Sequence, residues 1–254
     1  MSSKESRRSA REKLAEERRR QAEAERRRSR IINIAIAVVV ILAVTTIFVL
    51  VQKSRNSGPA TATLPKTVTQ DGGGVTVGQD SAPVTVDMWL DFQCPNCKQF
   101  ETVNAPQMAA MTDSGQIRVV YHPLSFLDQH WQNTASALAA NAFGCSADYG
   151  LAQKYQSTVF ANQPPVEGTG YTSDQLIQWG KDIGITDSNW PSCVQDQPYA
   201  NWVKQVESSM TSQGVTGTPT LFINGQRVSP KEQGPMMTDP AAFKQAVAAA
   251  ASGG

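Results

Sequence analysis

The four residues Cys94-Pro95-Asn96-Cys97 constrain this chain more than any other feature, because they join a predicted strand to a predicted helix. Residues 84–92 alternate between apolar and polar side chains, a pattern typical of a β-strand. A cysteine in the first turn of a helix faces free backbone N–H groups and the positive end of the helix dipole. Both favour the thiolate, so we expect Cys94 to be a nucleophile near neutral pH. Cys97 follows close enough to attack a mixed disulfide at Cys94, which predicts thiol–disulfide chemistry.

Two alternatives for the cysteine pair are a zinc site and a purely structural pair. An all-cysteine zinc site needs a second closely spaced pair, whereas Cys145 and Cys193 are far apart in the sequence. The two histidines, His122 and His130, are expected to be packed or exposed rather than catalytic. We therefore expect neither a metal nor a bound cofactor.

An uncharged apolar segment at residues 31–51 predicts a membrane-spanning helix. At about 1.5 Å per residue it is roughly 30 Å long, the thickness of the hydrocarbon core of a bilayer. A cleaved signal peptide would have a shorter apolar region and a small-x-small cleavage site, to which only residues 59–62 bear some likeness. We interpret the segment as an uncleaved signal anchor.

The flanking charges predict the orientation of this anchor. Residues 1–30 contain twelve Lys or Arg and six Asp or Glu, and basic residues are retained on the cytoplasmic side. The C-terminal part is then extracytoplasmic, where disulfides persist, and all four cysteines belong to it. The basic tail could bind anionic lipids or nucleic acid. We favour a solvated tail that sets topology, and expect no nucleic-acid partner.

The part after the anchor divides into a linker and one folded domain. Residues 52–74 are rich in Ser, Thr, Gly and Pro and predict a flexible linker, and residues 75–251 are long enough for a single core. Ser173 is a candidate N-cap for a helix predicted to begin at residue 174. Strands are predicted at 84–92, 117–121, 220–223 and 226–228, and helices after Cys97 to about 112 and near 131–143, 151–160, 174–183, 200–213 and 240–251.

This order predicts an α/β fold in which a helical insertion, at about residues 128–214, separates strands of one sheet. Two sequence motifs fit the same order. They are Asp91-Phe92-Gln93-Cys94-Pro95-Asn96-Cys97 and Gly217-Thr218-Pro219-Thr220-Leu221-Phe222-Ile223-Asn224-Gly225. Together they resemble the DsbA-like branch of the thioredoxin superfamily, in particular its membrane-anchored actinobacterial members, over residues 75–250.

The resemblance implies roles for residues outside the cysteine pair. Pro219 is expected to follow a cis peptide beside the cysteines, and the backbone of Thr218 to pair with an extended substrate. Such relatives often carry a second disulfide in the helical insertion, which implies a structural bridge between Cys145 and Cys193. A redox relay or two buried free thiols are the alternatives for these two residues.

Two positions depart from the family pattern. The most oxidising members have His where this chain has Asn96, so we expect weaker activation of Cys94. Many relatives have a buried carboxylate where this chain has Met88, and Asp91 or water is expected to replace it as the proton acceptor of Cys97.

These features predict a membrane-tethered, monomeric thiol–disulfide oxidoreductase that oxidises unfolded or reduced exported proteins. The resemblance implies a membrane reoxidising partner of the DsbB or vitamin K epoxide reductase-like type. One rival function is that of a disulfide reductase or isomerase. The other is that of a non-catalytic thioredoxin-fold binding module.

Overall fold

A five-stranded sheet forms the centre of residues 62–253, the part of the chain that the computed structural model describes. The strand order is β1-β3-β2-β4-β5, in which β2 and β3 are parallel and the other neighbours are antiparallel. The strands are β1 (Val75–Val77), β2 (Val84–Asp91), β3 (Ile117–Leu124), β4 (Thr220–Ile223) and β5 (Gln226–Arg227).

Helices surround this sheet, and most of them lie between β3 and β4 in the sequence. In chain order they are α1 (Pro95–Asp113), α2 (Leu127–Trp131), α3 (Ala135–Ala147), α4 (Ala152–Ala161), α5 (Ser173–Asp182), α6 (Trp190–Asp196), α7 (Ala200–Ser209), α8 (Pro230–Met236) and α9 (Pro240–Ser252). Helices α2 to α7 are the insertion, which confirms the predicted thioredoxin fold with a helical insertion.

Strand β2 is the central strand, and both of its faces are covered. Met88 and Leu90 are completely buried on one face, and Trp89 is almost completely buried on the other. The Trp89 ring stacks on His122 of β3, with ring centroids 4.3 Å apart. A strand buried on both faces is typical of sheets with helices on each side. The end of β2, where the cysteine pair follows, is therefore rigidly held.

Helices α5 and α6 pack through a small residue opposite a large one. Any side chain at Gly180 would overlap the indole of Trp190, which is completely buried. The indole Nε1 of Trp190 donates to the carbonyl of Ile177 at 2.9 Å. The predicted N-cap of α5 was wrong by one residue. Thr172 caps the helix, because its side chain accepts from the Gln175 amide and Gln175 reciprocates.

A disulfide bridge joins Cys145 of α3 to Cys193 of α6, two residues 48 apart in the sequence. The Asn141 side chain, one turn before Cys145, donates to the carbonyl of Cys193 at 3.1 Å. The bridge therefore ties the two helices together within the insertion.

The segment before β1 packs on the domain from the first residues that the structure describes. Trp202 Nε1 donates to the Gly72 carbonyl at 2.9 Å, and the Lys66 amide donates to Asp148 at 3.0 Å. Residues 62–74, which the sequence assigned to the linker, thus contact the insertion. None of the helices within residues 62–253 has the length and apolar character that crossing a bilayer requires. The predicted basic tail (1–30) and anchor (31–51) lie outside these residues.

Candidate active site

The cysteine pair lies where β2 ends and α1 begins. Cys94 is the N-cap residue of α1 with an extended backbone, and Pro95 occupies the first turn, where its missing N–H costs no hydrogen bond. The Cys94 amide donates to the Asp91 carbonyl at 2.9 Å. Both cysteines are free thiols; Cys94 is 6% exposed and Cys97 is completely buried. Only Cys94 can therefore meet a large substrate.

A cis peptide between Thr218 and Pro219 lies beside Cys94. The Cys94 thiol donates to the Thr218 carbonyl, with Sγ and O 3.4 Å apart. The Thr218 hydroxyl is buried and has no hydrogen-bond partner among the described residues. A thiolate at Cys94 would offer this hydroxyl an acceptor. The structure thus brings together residues more than a hundred positions apart that the sequence assigned to one site.

The surroundings lower the pKa of the Cys94 thiol from 9.0 to about 6. The largest cause is a hydrogen bond with the Cys97 thiol, and the Thr218 side chain and the amides of Cys97 and Asn96 add to it, while burial acts in the opposite direction. Asn96 thus contributes through its backbone. The Thr218 hydroxyl makes no hydrogen bond to the neutral thiol, so we assign its effect to the thiolate form alone.

Cys97 behaves in the opposite way. Burial and its nearness to Cys94 raise the pKa of the Cys97 thiol well above the ordinary value of 9.0. The two thiols therefore differ strongly in acidity. The accessible one is poised to ionise near neutral pH and the buried one holds its proton.

Asp91, which with water was one of two predicted substitutes for the missing carboxylate, is completely buried at the end of β2. Its carboxylate accepts from the Gln93 amide at 2.9 Å, the Ser136 hydroxyl at 2.6 Å and the Leu127 amide at 3.1 Å. Burial raises its pKa to about 7 in spite of these bonds. Asp91 thus fastens the insertion to the strand that precedes Cys94.

The Gln93 side chain extends this connection, which sequence reasoning missed. Its Nε2 lies 2.9 Å from Asp128 Oδ1, 2.9 Å from Asn133 Oδ1 and 2.8 Å from Ser136 Oγ. Asp128 also accepts the amides of Ser136 and Ala137 at the start of α3. The sequence signal was only that Gln93 adjoins Cys94, since its partners lie 35 or more residues away.

Two grooves meet at Thr218. One, with a volume of about 400 Å³, has an aromatic wall and contains the reactive cysteine; its lining is Cys94, Pro95, Phe126, Leu127, His130, Trp131, Glu167 and Thr218. The other, of about 410 Å³, is more polar and includes Asn96, Gln99 and Gln233. A larger hollow between β5 and α9, of about 800 Å³, contains neither cysteine. We assign the chemistry to the grooves at Thr218, because they adjoin the reactive sulfur.

The two histidines occupy different places. His122 Nδ1 donates to the Gly73 carbonyl at 2.7 Å, and its Nε2 lies 3.0 Å from Asp87. These two contacts fix the orientation of the ring. His130 lines the aromatic groove near Cys94. Within residues 62–253, no three His, Cys, Asp or Glu side chains converge as metal ligands would.

The chain matches a family model and parts of two known proteins. A family model described as thioredoxin matches residues 70–238. The Na(+)/H(+) antiporter NhaA 3 of Salinispora tropica is 26% identical over 59% of this chain and 21% of its own length. Disulfide bond formation protein D of Bacillus subtilis is 23% identical over 58% of this chain and 66% of its own length. The chain thus spans about a fifth of the antiporter and just under two thirds of the second relative.

Among solved structures, the fold is similar to that of the MdbA protein, a thiol-disulfide oxidoreductase from Actinomyces oris. The TM-score is 0.62 at 21% identity, and the match covers 75% of this chain and 93% of that one. The shared architecture extends through the helical insertion as well as the sheet.

Proposed function

Because the chain belongs to the thioredoxin family, we propose that it is a thiol–disulfide oxidoreductase that introduces disulfides into exported proteins. The observation that carries this proposal is the difference in acidity between Cys94 and Cys97 beside the cis peptide of Pro219. A thiol of low pKa is a good leaving group, and an oxidase needs one in the step that releases its product.

The reaction begins with the oxidised enzyme, in which Cys94 and Cys97 form a disulfide. A substrate thiolate attacks Cys94 Sγ, the bond between the two cysteines breaks, and Cys97 leaves as a thiolate that takes up a proton. A second substrate thiolate attacks the substrate sulfur of the mixed disulfide, and Cys94 leaves as a thiolate. The substrate loses two electrons and gains a disulfide, and the enzyme is left with two reduced cysteines.

The substrate would lie along the backbone of Thr218. The cis peptide presents main-chain groups for pairing with an extended chain, and grooves open on both sides of it. A folded substrate could not bring its backbone to a cysteine that is 6% exposed. The substrate class that fits is therefore an unfolded or reduced polypeptide.

The cellular setting is part of the proposal. The chain would be tethered by residues 31–51 with the domain extracytoplasmic, act as a monomer, and be reoxidised by a membrane protein of the DsbB or vitamin K epoxide reductase-like type. The Cys145–Cys193 bridge supports an oxidising compartment, because such disulfides do not persist in the cytosol. The printed descriptions of MdbA and of disulfide bond formation protein D favour the same chemistry.

A reductase or isomerase is the second candidate, and Asn96 is the residue that favours it. An amide between the cysteines cannot offer the positive charge that an imidazolium would, so the thiolate depends on the Cys97 thiol, on Thr218 and on backbone amides. The two functions differ in reduction potential, which is set by how strongly the reduced form is stabilised.

The deciding experiment equilibrates the purified protein with glutathione buffers and measures the reduction potential of the Cys94–Cys97 couple. A value well above that of thioredoxin, about −270 mV, and towards that of DsbA, about −120 mV, is expected. Oxidation of a reduced, unfolded test protein should occur with the wild type and be lost in Cys94→Ser. A thioredoxin-like potential would instead support the reductase, and full biological activity of Cys94→Ser would support a binding module.

A further inference from the structure

A buried carboxyl group lies one helical turn beyond Cys97, and the reaction scheme above does not use it. Glu101 of α1 is 4% exposed. Residues four apart on a helix share a face, and helical side chains point back towards the N-terminus. Cys97 and Glu101 are therefore neighbours on the buried side of α1.

The contacts of Glu101 suit a carboxyl that can hold a proton. Its oxygens accept from Gln156 Nε2 at 3.0 Å and Ser157 Oγ at 2.6 Å, both on α4. The ion pairs within the described residues join Arg118 to Asp80 and His122 to Asp87, so neither neutralises Glu101. Burial accordingly raises its pKa.

An unpartnered acceptor beside Glu101 points the same way. Gln156 Oε1 is buried without a hydrogen-bond partner among residues 62–253. A half-turn of the Gln156 amide would place Oε1 against the Glu101 carboxyl, where a protonated acid can donate to it. The pocket can therefore accommodate both states of Glu101, the anion with Nε2 and the neutral acid with Oε1.

Glu101 also lies on the side of the sheet that Met88 faces. In the sheet, Met88 pairs with Tyr121 of β3. Burial raises the pKa of the Tyr121 hydroxyl, and the charge of nearby Glu101 raises it further. The carboxyl is thus on the same side of the sheet as a side chain at position 88, but it belongs to α1 instead of β2.

We propose that Glu101 is the proton-exchange partner of Cys97, an inference that rests on the proposed function. When a substrate thiolate breaks the Cys94–Cys97 bond, Cys97 leaves as a thiolate and receives the proton of Glu101. On reoxidation the Cys97 thiol returns its proton to the Glu101 carboxylate while its sulfur attacks Cys94 in the mixed disulfide with the oxidant. The oxidant's thiolate leaves, and no proton or electron is unaccounted for.

Asp91 is the competing acid. Its backbone amide lies near Cys97, but the contacts of its carboxyl argue against it. Side chains alternate across a strand, so Asp91 shares the Trp89 face of β2, opposite Met88 and Leu90. Its oxygens already accept from the Gln93 amide, the Ser136 hydroxyl and the Leu127 amide. Asp91 is thus engaged in holding the insertion, whereas the Glu101 carboxyl accepts only two hydrogen bonds from the residues that the structure describes.

The test separates the two steps by which oxidised glutathione oxidises the reduced protein. Cys94 first forms a mixed disulfide with glutathione, and Cys97 then closes the protein disulfide. Acid-quenched samples analysed by mass report both rates between pH 5 and 9. In Glu101→Gln the closing step at pH 7 should slow about tenfold or more, while the first step and the ionisation of Cys94 stay unchanged.

Matched variants distinguish proton exchange from packing. Gln at position 101 can still accept from Ser157 and can donate to Gln156 Oε1, so the unfolding midpoint should change little. Glu232→Gln makes the same charge change at the exposed start of α8, where either residue completes the capping box, and should leave closure unaffected. Met88→Glu placed in Glu101→Gln should restore closure, because it supplies a carboxyl from the strand.

Several results would overturn the inference. One is that wild type and Glu101→Gln close the Cys94–Cys97 disulfide at equal rates. Another is that Asp91→Asn slows this closing step and Glu101→Gln does not. A wild-type closing rate that rises about tenfold per pH unit up to pH 9 would mean that Cys97 gives its proton to solvent, which decides the matter even if the variant fails to fold. A wild type that forms no mixed disulfide at Cys94 refutes the proposed function itself, and this inference with it.

Discussion

The thiolate of Cys94 should make the reduced domain more stable as the pH rises. The pKa of Cys94 is lowered from 9.0 to about 6 in the folded protein. Such a group stabilises the fold above its unfolded pKa, and this stabilisation is lost as the pH falls through the folded pKa. At 1.36 kcal/mol per pH unit, it contributes about 4 kcal/mol at pH 9, about 1 kcal/mol at pH 7 and about zero at pH 5.

The assay is urea unfolding of the reduced wild type and of reduced Cys94→Ser at pH 5, 7 and 9. The free energy of unfolding of the wild type, minus that of the variant, should increase by about 3–4 kcal/mol from pH 5 to pH 9. Effects of the substitution that do not depend on pH cancel in this comparison. Oxidised wild type is the control, because its Cys94 has no proton to lose. A difference that stays constant within about 1 kcal/mol would refute the assignment of Cys94 as the stabilised thiolate.

Three further results are expected. Thr218→Val removes the buried hydroxyl near the thiolate. A hydrogen bond to a charged group contributes about 1.5–3 kcal/mol, so the Cys94 pKa should rise by about one to two units, measured by thiolate absorbance. An unchanged pKa would exclude that bond. Replacing Cys145 and Cys193 by Ala opens a loop of sequence separation 48 and should lower the free energy of unfolding by about 4 kcal/mol, measured in urea under oxidising conditions. The pKa of Asp91 is raised to about 7, so its ionisation destabilises the fold. The free energy of unfolding of the oxidised wild type should therefore fall by up to about 4 kcal/mol between pH 4 and 8. If the free energy of unfolding of Asp91→Asn depends on pH in the same way, this expectation is contradicted.

The elements around the cysteine pair could be predicted because their signals are local. The alternation of residues 84–92 predicts β2, and the structure has that strand at Val84–Asp91. Asn224-Gly225 predicts the turn between β4 and β5, where both residues have positive φ. The predicted helices of the insertion are also present, with their bounds shifted by a few residues.

Short elements were missed because they carry too few residues for a pattern. Strand β1 has three residues, and helices α6 and α8 have seven each. They form because residues outside the element complete them. For β1 the partner is Val119–Tyr121 of β3, and for α6 it is the space that Gly180 leaves for Trp190. The Ser173 cap failed for a local reason, since Thr172 is an equally good N-cap residue with Gln175 at the right spacing.

By itself, the sequence determined the reactive pair, its place at a helix start and the strand that carries it, because each depends on neighbours within a few residues. Tertiary structure alone decided the protonation of the buried groups Cys97, Asp91 and Glu101. In the sequence Glu101 is an ordinary helical glutamate. In the structure it is buried against Gln156, 55 residues away, and no cation within residues 62–253 forms an ion pair with it. The pKa of a carboxyl or thiol depends on burial and on nearby charges, and both arise only when distant segments pack together.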